Sequence, residues 1–356
     1  MHNIWWNQIT KANRFISQIS DALQNDKSVI LGVTAAMPWF ETLFTVVEER
    51  MRSCGGNRNL ELIKSTDGDV GEYLLNNYCK RETRNSYRIG VSYAAFLAQC
   101  SNTTLNARIL WVKEASQEKA NEWLAFIDEY NRELPRGVAP ALFVVETSGS
   151  VCSAAKKYLE CISFRDHISS YDRYAFCTLV TTDFGMVPEI KLYLADLVSN
   201  ICADDVELCA ACMKNGSSFL ADPVGCLATL VDSGTHDDGS PFIFSVNEKR
   251  IADMIWESQI RLIFPAIERY RKDFIVHHRM EIASVLPIES PFGETVAEPE
   301  EVEIGVLYYM TAEGKIQMRT NAEFANLREL KEARNKLAHL KPLDFETVKR
   351  ILTLTE

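Results

Sequence analysis

Ser28-Val29-Ile30-Leu31-Gly32-Val33-Thr34-Ala35-Ala36-Met37-Pro38 reads as a strand, a short loop and the start of a helix. Ser28 to Val33 is a near-continuous apolar run of strand length, the pattern of a strand buried on both faces. Pro38 suits a first helical turn, where its missing N–H is not needed, and that helix is expected to run to about Met51. Upstream, Ile4, Trp5, Ile9, Phe15, Ile16, Ile19 and Leu23 give residues 3 to 24 a helical spacing, closed by the turn Asn25-Asp26-Lys27. Downstream, the same kind of strand recurs at Asn59 to Ile63, Ala107 to Val112, Pro140 to Glu146 and Tyr174 to Thr181. Helices fall between them: Val70 to Cys79, Tyr87 to Ser101, and a segment capped by Ser116 that carries Trp123, Phe126, Ile127 and Tyr130. Five apolar strands alternating with helices give an α/β fold, a parallel sheet covered by helices on both faces.

A strand, a loop and a helix are also the parts of a phosphate site. That chemistry needs glycines for close backbone approach, a lysine on the phosphates and a Ser or Thr on magnesium. Gly32 to Trp39 supplies one glycine and no lysine, and Pro38 removes a backbone donor. Nucleotide hydrolysis is not expected, and no cofactor is called for. Asp67-Gly68-Asp69 reads as a helix cap rather than a calcium loop, because the following residues do not continue the ligand pattern. Arg81, Arg84 and Arg88, around Asn85-Ser86-Tyr87, read as a solvated loop.

This order of elements resembles the P-loop NTPase core of AAA and STAND proteins over residues 25 to 185. The resemblance rests on arrangement, since the diagnostic loop is missing, and it implies that fold in a catalytically degenerate form. The strand ending Trp111-Val112-Lys113-Glu114 falls where that family's magnesium-binding acid sits, and the one ending Glu146-Thr147-Ser148 where its sensor sits. Read by themselves, Glu114 and Glu146 are ordinary strand-end acids. The degenerate P-loop NTPase-like domain is assigned to residues 1–186. Residues 187–246 are read as a helical lid and linker, with helices over Pro188 to Ile201, Asp204 to Lys214 and Pro223 to Val231. Ser233 to Pro241 is the clearest break in the chain, and His236, Asp237 and Asp238 are read as part of that flexible loop rather than as metal ligands.

Residues 247–356 are expected to form an all-α C-terminal helical bundle. Ile251 to about Ala283 is a long helix with Pro265 inside it, Pro299 opens a second, Asn321 caps a third and Asp344 caps a fourth, Phe345 to Leu354. The third carries Arg334-Asn335-Lys336-Leu337-Ala338-His339. At about 100° per residue, Arg334 and His339 lie on neighbouring stripes of one helix end. An imidazole there can move a proton near neutral pH, and a guanidinium can steady a phosphate that gains charge during 2′-hydroxyl attack on RNA. Asn335 can orient the backbone or a partner helix. Equally, His339 can serve the helix dipole and Arg334 can pair with a Glu of a neighbouring helix. The pattern Arg334-Asn335-x-x-x-His339, over about the last hundred residues, looks like the Arg-(polar)-x3-His signature of HEPN domains. That resemblance implies a four-helix bundle that dimerises, in some members as a metal-independent ribonuclease. Pairings of this kind are frequent in bacterial defence and toxin systems, and the resemblance suggests that setting, phage defence included. His277-His278-Arg279, on the long helix, is expected at the surface.

The formal net charge of −11 and pI near 5.2 argue against a general nucleic-acid binder with a basic surface, so any RNA contact must be local. No apolar run reaches the roughly 18 residues that span a bilayer, and no signal peptide is recognisable, so the reading is cytoplasmic with no membrane contact. The ten cysteines are expected to be reduced and buried. Cys209-Ala-Ala-Cys212 is the only CxxC pair, with Cys202 and Cys226 the nearest further thiols, and no metal site is assigned. Two functions stay open. The first is a regulatory or interaction protein, built on a silent NTPase-like domain and working through a protein partner or self-association. The second is a ribonuclease using Arg334, Asn335 and His339 in a dimer.

Overall fold

The computed structural model describes residues 1–354 except 35–36, 56–57, 65–67, 89, 101–102, 149–155, 165–168, 290–292, 294 and 319, with the backbone alone at Lys64 and Glu114. Ala35 and Ala36 of the loop after the first strand, Asp67 of the acidic turn, and the side chain of Glu114 therefore lie outside the described residues. By its internal contacts the chain divides into two compact units: Met1–Asp172 with Asp237–Gly239, and Arg173–His236 with Ser240–Glu356.

The first unit runs α1 (His2–Gln8), α2 (Thr10–Gln24), β1 (Ser28–Gly32), α3 (Leu43–Ser53), β2 (Asn59–Lys64), α4 (Val70–Tyr78), α5 (Arg81–Ser86), α6 (Tyr93–Gln99), β3 (Arg108–Ala115), α7 (Gln117–Glu133), β4 (Leu142–Thr147) and β5 (Leu159–Ser163). The five strands form one parallel sheet in the order β2-β3-β4-β1-β5, with Ile30 opposite Val145 on one side and Cys161 on the other. Side chains alternate across a strand. Ile30, Leu110, Val112, Phe143 and Val145 pack with Leu74 of α4, Leu97 of α6 and Trp123 and Ile127 of α7. On the opposite face Trp111 meets Phe44 of α3 at 5.6 Å between ring centroids, and α2 lies along β1 and β5. Fully burying each such side chain contributes about 1.5–3 kcal/mol, which is why β1 and β4, buried at every position, sit inside the sheet. Asp69 and Ser116 cap α4 and α7 as the sequence indicates, accepting the N–H groups of Glu72 and Lys119.

Four expectations for this region are corrected. Tyr174 to Thr181 is not a strand but lies in the helix α8 (Ser170–Val180) and the short turn after it, with Phe176, Cys177 and Val180 buried at helical spacing. The fifth strand is Leu159–Ser163, an edge strand whose half-buried positions break the apolar run that marks an inner one. Residues 3 to 24 are two helices, because Ile9 is extended (φ −83°, ψ 123°). Tyr87 to Ser101 is not one helix; Ser92 caps α6 by accepting the Ala95 N–H, so that helix begins at Tyr93, and Arg81 and Arg84 lie on α5 rather than in a loop.

The second unit holds most of α8 and then α9 (Pro188–Ile201), α10 (Val206–Ala221), α11 (Pro223–Ser233), α12 (Glu248–His277), α13 (Arg279–Val285), the two-residue strands β6 (Ile288–Glu289) and β7 (Thr295–Val296), α14 (Ile304–Ala312), α15 (Asn321–Ala338) and α16 (Phe345–Thr353). The thirty-residue α12 accommodates Pro265 and packs on α9, α15 and α16, while α14 packs on α15. Gln259 of α12, 1% exposed, joins three segments. Its amide donates to the Tyr193 hydroxyl at 3.1 Å and the Leu343 carbonyl at 2.9 Å, and accepts the Leu343 N–H at 2.7 Å. Burial pushes the Tyr193 phenol up to about 12, so it stays neutral. Thr320 caps α15, one residue before the cap expected at Asn321, and Asp344 caps α16 as expected. Among the described residues no helix is long and apolar enough to cross a membrane.

Candidate functional site

Arg334, Asn335 and His339 occupy the last turn of α15 and its C-terminal cap. The alternation of Leu327, Leu330, Ala333 and Leu337 buries one stripe of the helix and turns the motif outward. Trp256 of α12 donates its indole N–H to the Leu337 carbonyl at 2.7 Å and so fixes this helix end. The chain then reverses. His339 closes the helix with its N–H on Asn335 O, Leu340 adopts left-handed backbone (φ 58°), and the Lys341 N–H returns to Lys336 O at 2.9 Å. Asn335 and His339 are exposed, and neither side chain forms a hydrogen bond with a described residue. Arg334 is half-buried and donates to Glu303, just before α14, at 3.1 Å. With Glu303 exposed and Arg334 only partly covered, that pair contributes about 0–1 kcal/mol.

The neighbouring surface completes the setting. Lys331, Arg334, Asn335 and Ala338 share a stripe of α15 by their spacing. Lys331 Nζ stands 4.2 Å from the Tyr308 ring centroid and 5.4 Å from that of Tyr309, and Tyr308 stacks on Phe324. Tyr309 is 60% exposed and Leu340 70%. This end of α15 and the adjoining α14 therefore carry two cations, an imidazole and an amide together with two large exposed apolar groups. Spacing identified the polar part. The contribution of α14 was not legible, because it depends on how two helices pack.

The other residues singled out in the sequence are placed as follows. The turn after β1 is apolar inside: Met37, Pro38 and Trp39 are buried, and Trp39 has left-handed backbone (φ 48°). Trp39 lies against Trp5, while its carbonyl accepts the Thr42 hydroxyl at 2.7 Å. The helix expected from Pro38 begins only at Leu43. Glu146 is not a solvated strand-end acid; it is buried and accepts the indole N–H of Trp111. His278, expected at the surface, is 4% exposed and sits between Glu281 at 2.7 Å and Glu323 at 3.1 Å. Two carboxylates flanking one imidazole explain how so polar a group is tolerated inside. Arg279 is exposed and pairs with Glu300. His236 is tethered to Asp205, the cap of α10, at 2.9 Å and to the Ser240 carbonyl at 3.2 Å. Partial burial opposes its charge, but the Asp205 carboxylate outweighs this with the help of the Ser240 carbonyl and holds its pKa above the ordinary histidine value.

The cysteines differ from the expectation of ten reduced, buried thiols. Cys54 is exposed, Cys100 and Cys226 are half-buried, and Cys161, on the edge strand β5, is disulfide-bonded. Cys177, Cys202, Cys209 and Cys212 are buried together in the helical unit. Among the described residues no group of three or more His, Cys, Asp or Glu side chains is placed to hold a metal ion. Compared with protein-family models and with curated proteins, the chain matches none of them.

Proposed function

We propose that the chain is an interaction protein that docks through the face formed by the end of α15 and by α14. One observation carries the reading: the side chains of Asn335 and His339 are exposed and form no hydrogen bond with a described residue, next in sequence to the exposed Leu340 and on the same helix as Lys331, which stands against the exposed Tyr309. Tyr and Arg surrounded by apolar area are the residues that anchor protein interfaces. In this reading the sheet unit is a silent P-loop NTPase-like scaffold. The strand order, with β1 between β4 and β5, supports it, as do the absence of a lysine in Gly32 to Trp39 and the burial of Met37 and Trp39. The helical face then acts as a HEPN-like docking or dimerising module. Sedimentation of the full chain over a concentration series tests the proposal. Self-association is expected, weakened about tenfold or more in the double variant Asn335→Ala, His339→Ala. Both positions are exposed, so stability should stay within about 0.5 kcal/mol. A chain that is monomeric at every concentration, and unaffected by the variant in all binding assays, overturns the reading.

A second reading is favoured by a specific observation: an exposed Tyr309 beside Lys331, on the helix that also carries Arg334 and His339, offers a ring on which single-stranded RNA could stack. In a dimer, a 2′-hydroxyl would attack the adjacent phosphorus as one His339 takes its proton. Arg334 would steady the phosphate, and the same imidazole of a second copy would protonate the leaving 5′ oxygen. Degradation of bulk RNA by the wild type, lost in His339→Ala and in Arg334→Ala, selects this reading over the first.

A further inference from the structure

One side of the long helix α12 faces a groove. Pro265, Arg269, Lys272 and Val276 follow one another at helical spacing and share a stripe about 16 Å long. All four are exposed, Val276 to 63%. Glu300, in the short turn Pro299–Glu301, lies across from them. Together they enclose a groove of 480 Å³, with the buried Ile275 in its lining.

The fold fixes the far wall of this groove. Arg271 donates to the carbonyls of Glu300 at 2.9 Å and Val302 at 3.0 Å, and pairs with Glu268 at 2.8 Å. Arg279, at the start of α13, pairs with Glu300. Both acids that line the groove, Glu268 and Glu300, are thereby neutralised from within. Arg269 and Lys272 are not neutralised; neither forms a hydrogen bond or an ion pair with a described residue. Their alkyl stems add to the apolar surface of Pro265, Ile275 and Val276, while their charged ends stay in water. Along the helix the stripe is thus apolar at both ends and cationic in the middle, in a chain whose formal net charge is −11.

We propose that this groove docks an acidic amphipathic helix of another protein. Apolar side chains of the guest would enter near Pro265 and near Val276, about three helical turns apart, and Asp or Glu between them would meet Arg269 and Lys272. Charge complementarity selects this guest over others. A second copy that laid the same stripe antiparallel on the first would set Arg269 and Lys272 against themselves. An anionic bilayer repels a chain of this charge, and the stripe offers no aromatic ring or leucine to insert. The groove shares no residue with α14 or with the end of α15, so this contact is independent of the docking proposed above.

The test pans a random library of peptides of about 16 residues, a little over four helical turns, against the full chain. Selected peptides are labelled and titrated by fluorescence anisotropy. They are expected to carry Asp or Glu between apolar residues at helical spacing. Affinity should fall at least about tenfold in the double variant Arg269→Glu, Lys272→Glu and about threefold or more in Val276→Gln. It should stay unchanged in Lys349→Glu, a charge reversal on α16 outside the groove. The substituted positions are all exposed, so the urea midpoint should hold and loss of binding is not loss of fold. Selected peptides without acids, no selected peptide at all, or full affinity in the double variant overturns the proposal. So does decanoate that binds the groove more tightly than any peptide, or sedimentation with phosphatidylserine vesicles that the double variant abolishes.

Discussion

Leu340 sits at the C-terminal end of α15 in a backbone conformation that suits glycine (φ 58°). A β-carbon there crowds the following carbonyl at a cost of about 1–2 kcal/mol, while the exposed side chain recovers little by packing. Leu340→Gly is therefore expected to raise unfolding stability by about 1 kcal/mol, read as a higher urea midpoint at unchanged slope. The same change removes an apolar group from the docking face, so stability and self-association should move in opposite directions. A variant that is both less stable and better associated would contradict the assignment of Leu340 to that face. His236 gives a pH prediction at the same scale. Its folded pKa is raised, so its contribution is complete below the unfolded value of about 6.5 and is lost as pH rises through the folded one. His236→Gln should thus cost most on the acid side of about 6.5 and little at higher pH. The ring is partly exposed, which limits the difference to a few tenths of a kcal/mol. A penalty that grows with pH would reverse the sign and refute the Asp205 pairing.

At the scale of elements, Gln259 shows what a single amide can hold. It saturates both backbone groups of Leu343 and reaches Tyr193, so it joins α12 to α9 and to the segment between α15 and α16. Gln259→Ala leaves a buried N–H and C=O without partners and is expected to cost about 2–4 kcal/mol in denaturant unfolding. Tyr193→Phe removes one of the three bonds and should cost about 1 kcal/mol. Equal costs would mean that packing, not the amide, carries the junction. The same scale separates what was legible in the sequence from what was not. β1 and β4 could be read because inner strands are apolar at every position. β5 could not, because Leu-Glu-Cys-Ile-Ser is half-buried at an edge, and the aromatic and β-branched run from Tyr174 to Val180 drew the strand assignment to a helix instead. The caps at Asp69, Ser116 and Asp344 are local chemistry and were legible; Gln259 was not, since its partners lie 66 and 84 residues away. Burial of Cys177 was legible from its apolar segment, whereas the 3.6 Å approach of Cys202 to Cys212 depends on the reversal between α9 and α10. Likewise, a cation, an amide and an imidazole could be placed on α15 by spacing, but not Tyr309 of α14 against Lys331 of the same helix.

For the molecule as a whole, charge decides between the two functional readings. Each copy carries a formal net charge of −11, so two copies repel, and salt screens that repulsion over a Debye length of about 8–10 Å. The proposed docking through Tyr309 and Leu340 would be driven by apolar burial, which salt does not weaken. Self-association should therefore tighten as ionic strength rises from about 0.05 to 0.3 M. RNA held by Lys331, Arg334 and His339 behaves in the opposite way. Each phosphate neutralised by a side chain releases a condensed counterion, and for about two or three such contacts on a single strand the slope of log K against log salt is about −1.5 to −2. The general repulsion between RNA and an acidic protein is screened as well, but that only reduces the magnitude of the slope. Sedimentation of the protein alone and fluorescence titration with a labelled single-stranded RNA, run across the same salt series, thus give slopes of opposite sign for the two contacts. Tyr309→Ala should weaken both, because both use the ring. Lys331→Ala should weaken only the RNA contact and make its slope shallower by about 0.7. Self-association that dissolves in salt would mean that ion pairs rather than Tyr309 and Leu340 hold the copies together, and the docking face would have to be sought elsewhere on the chain.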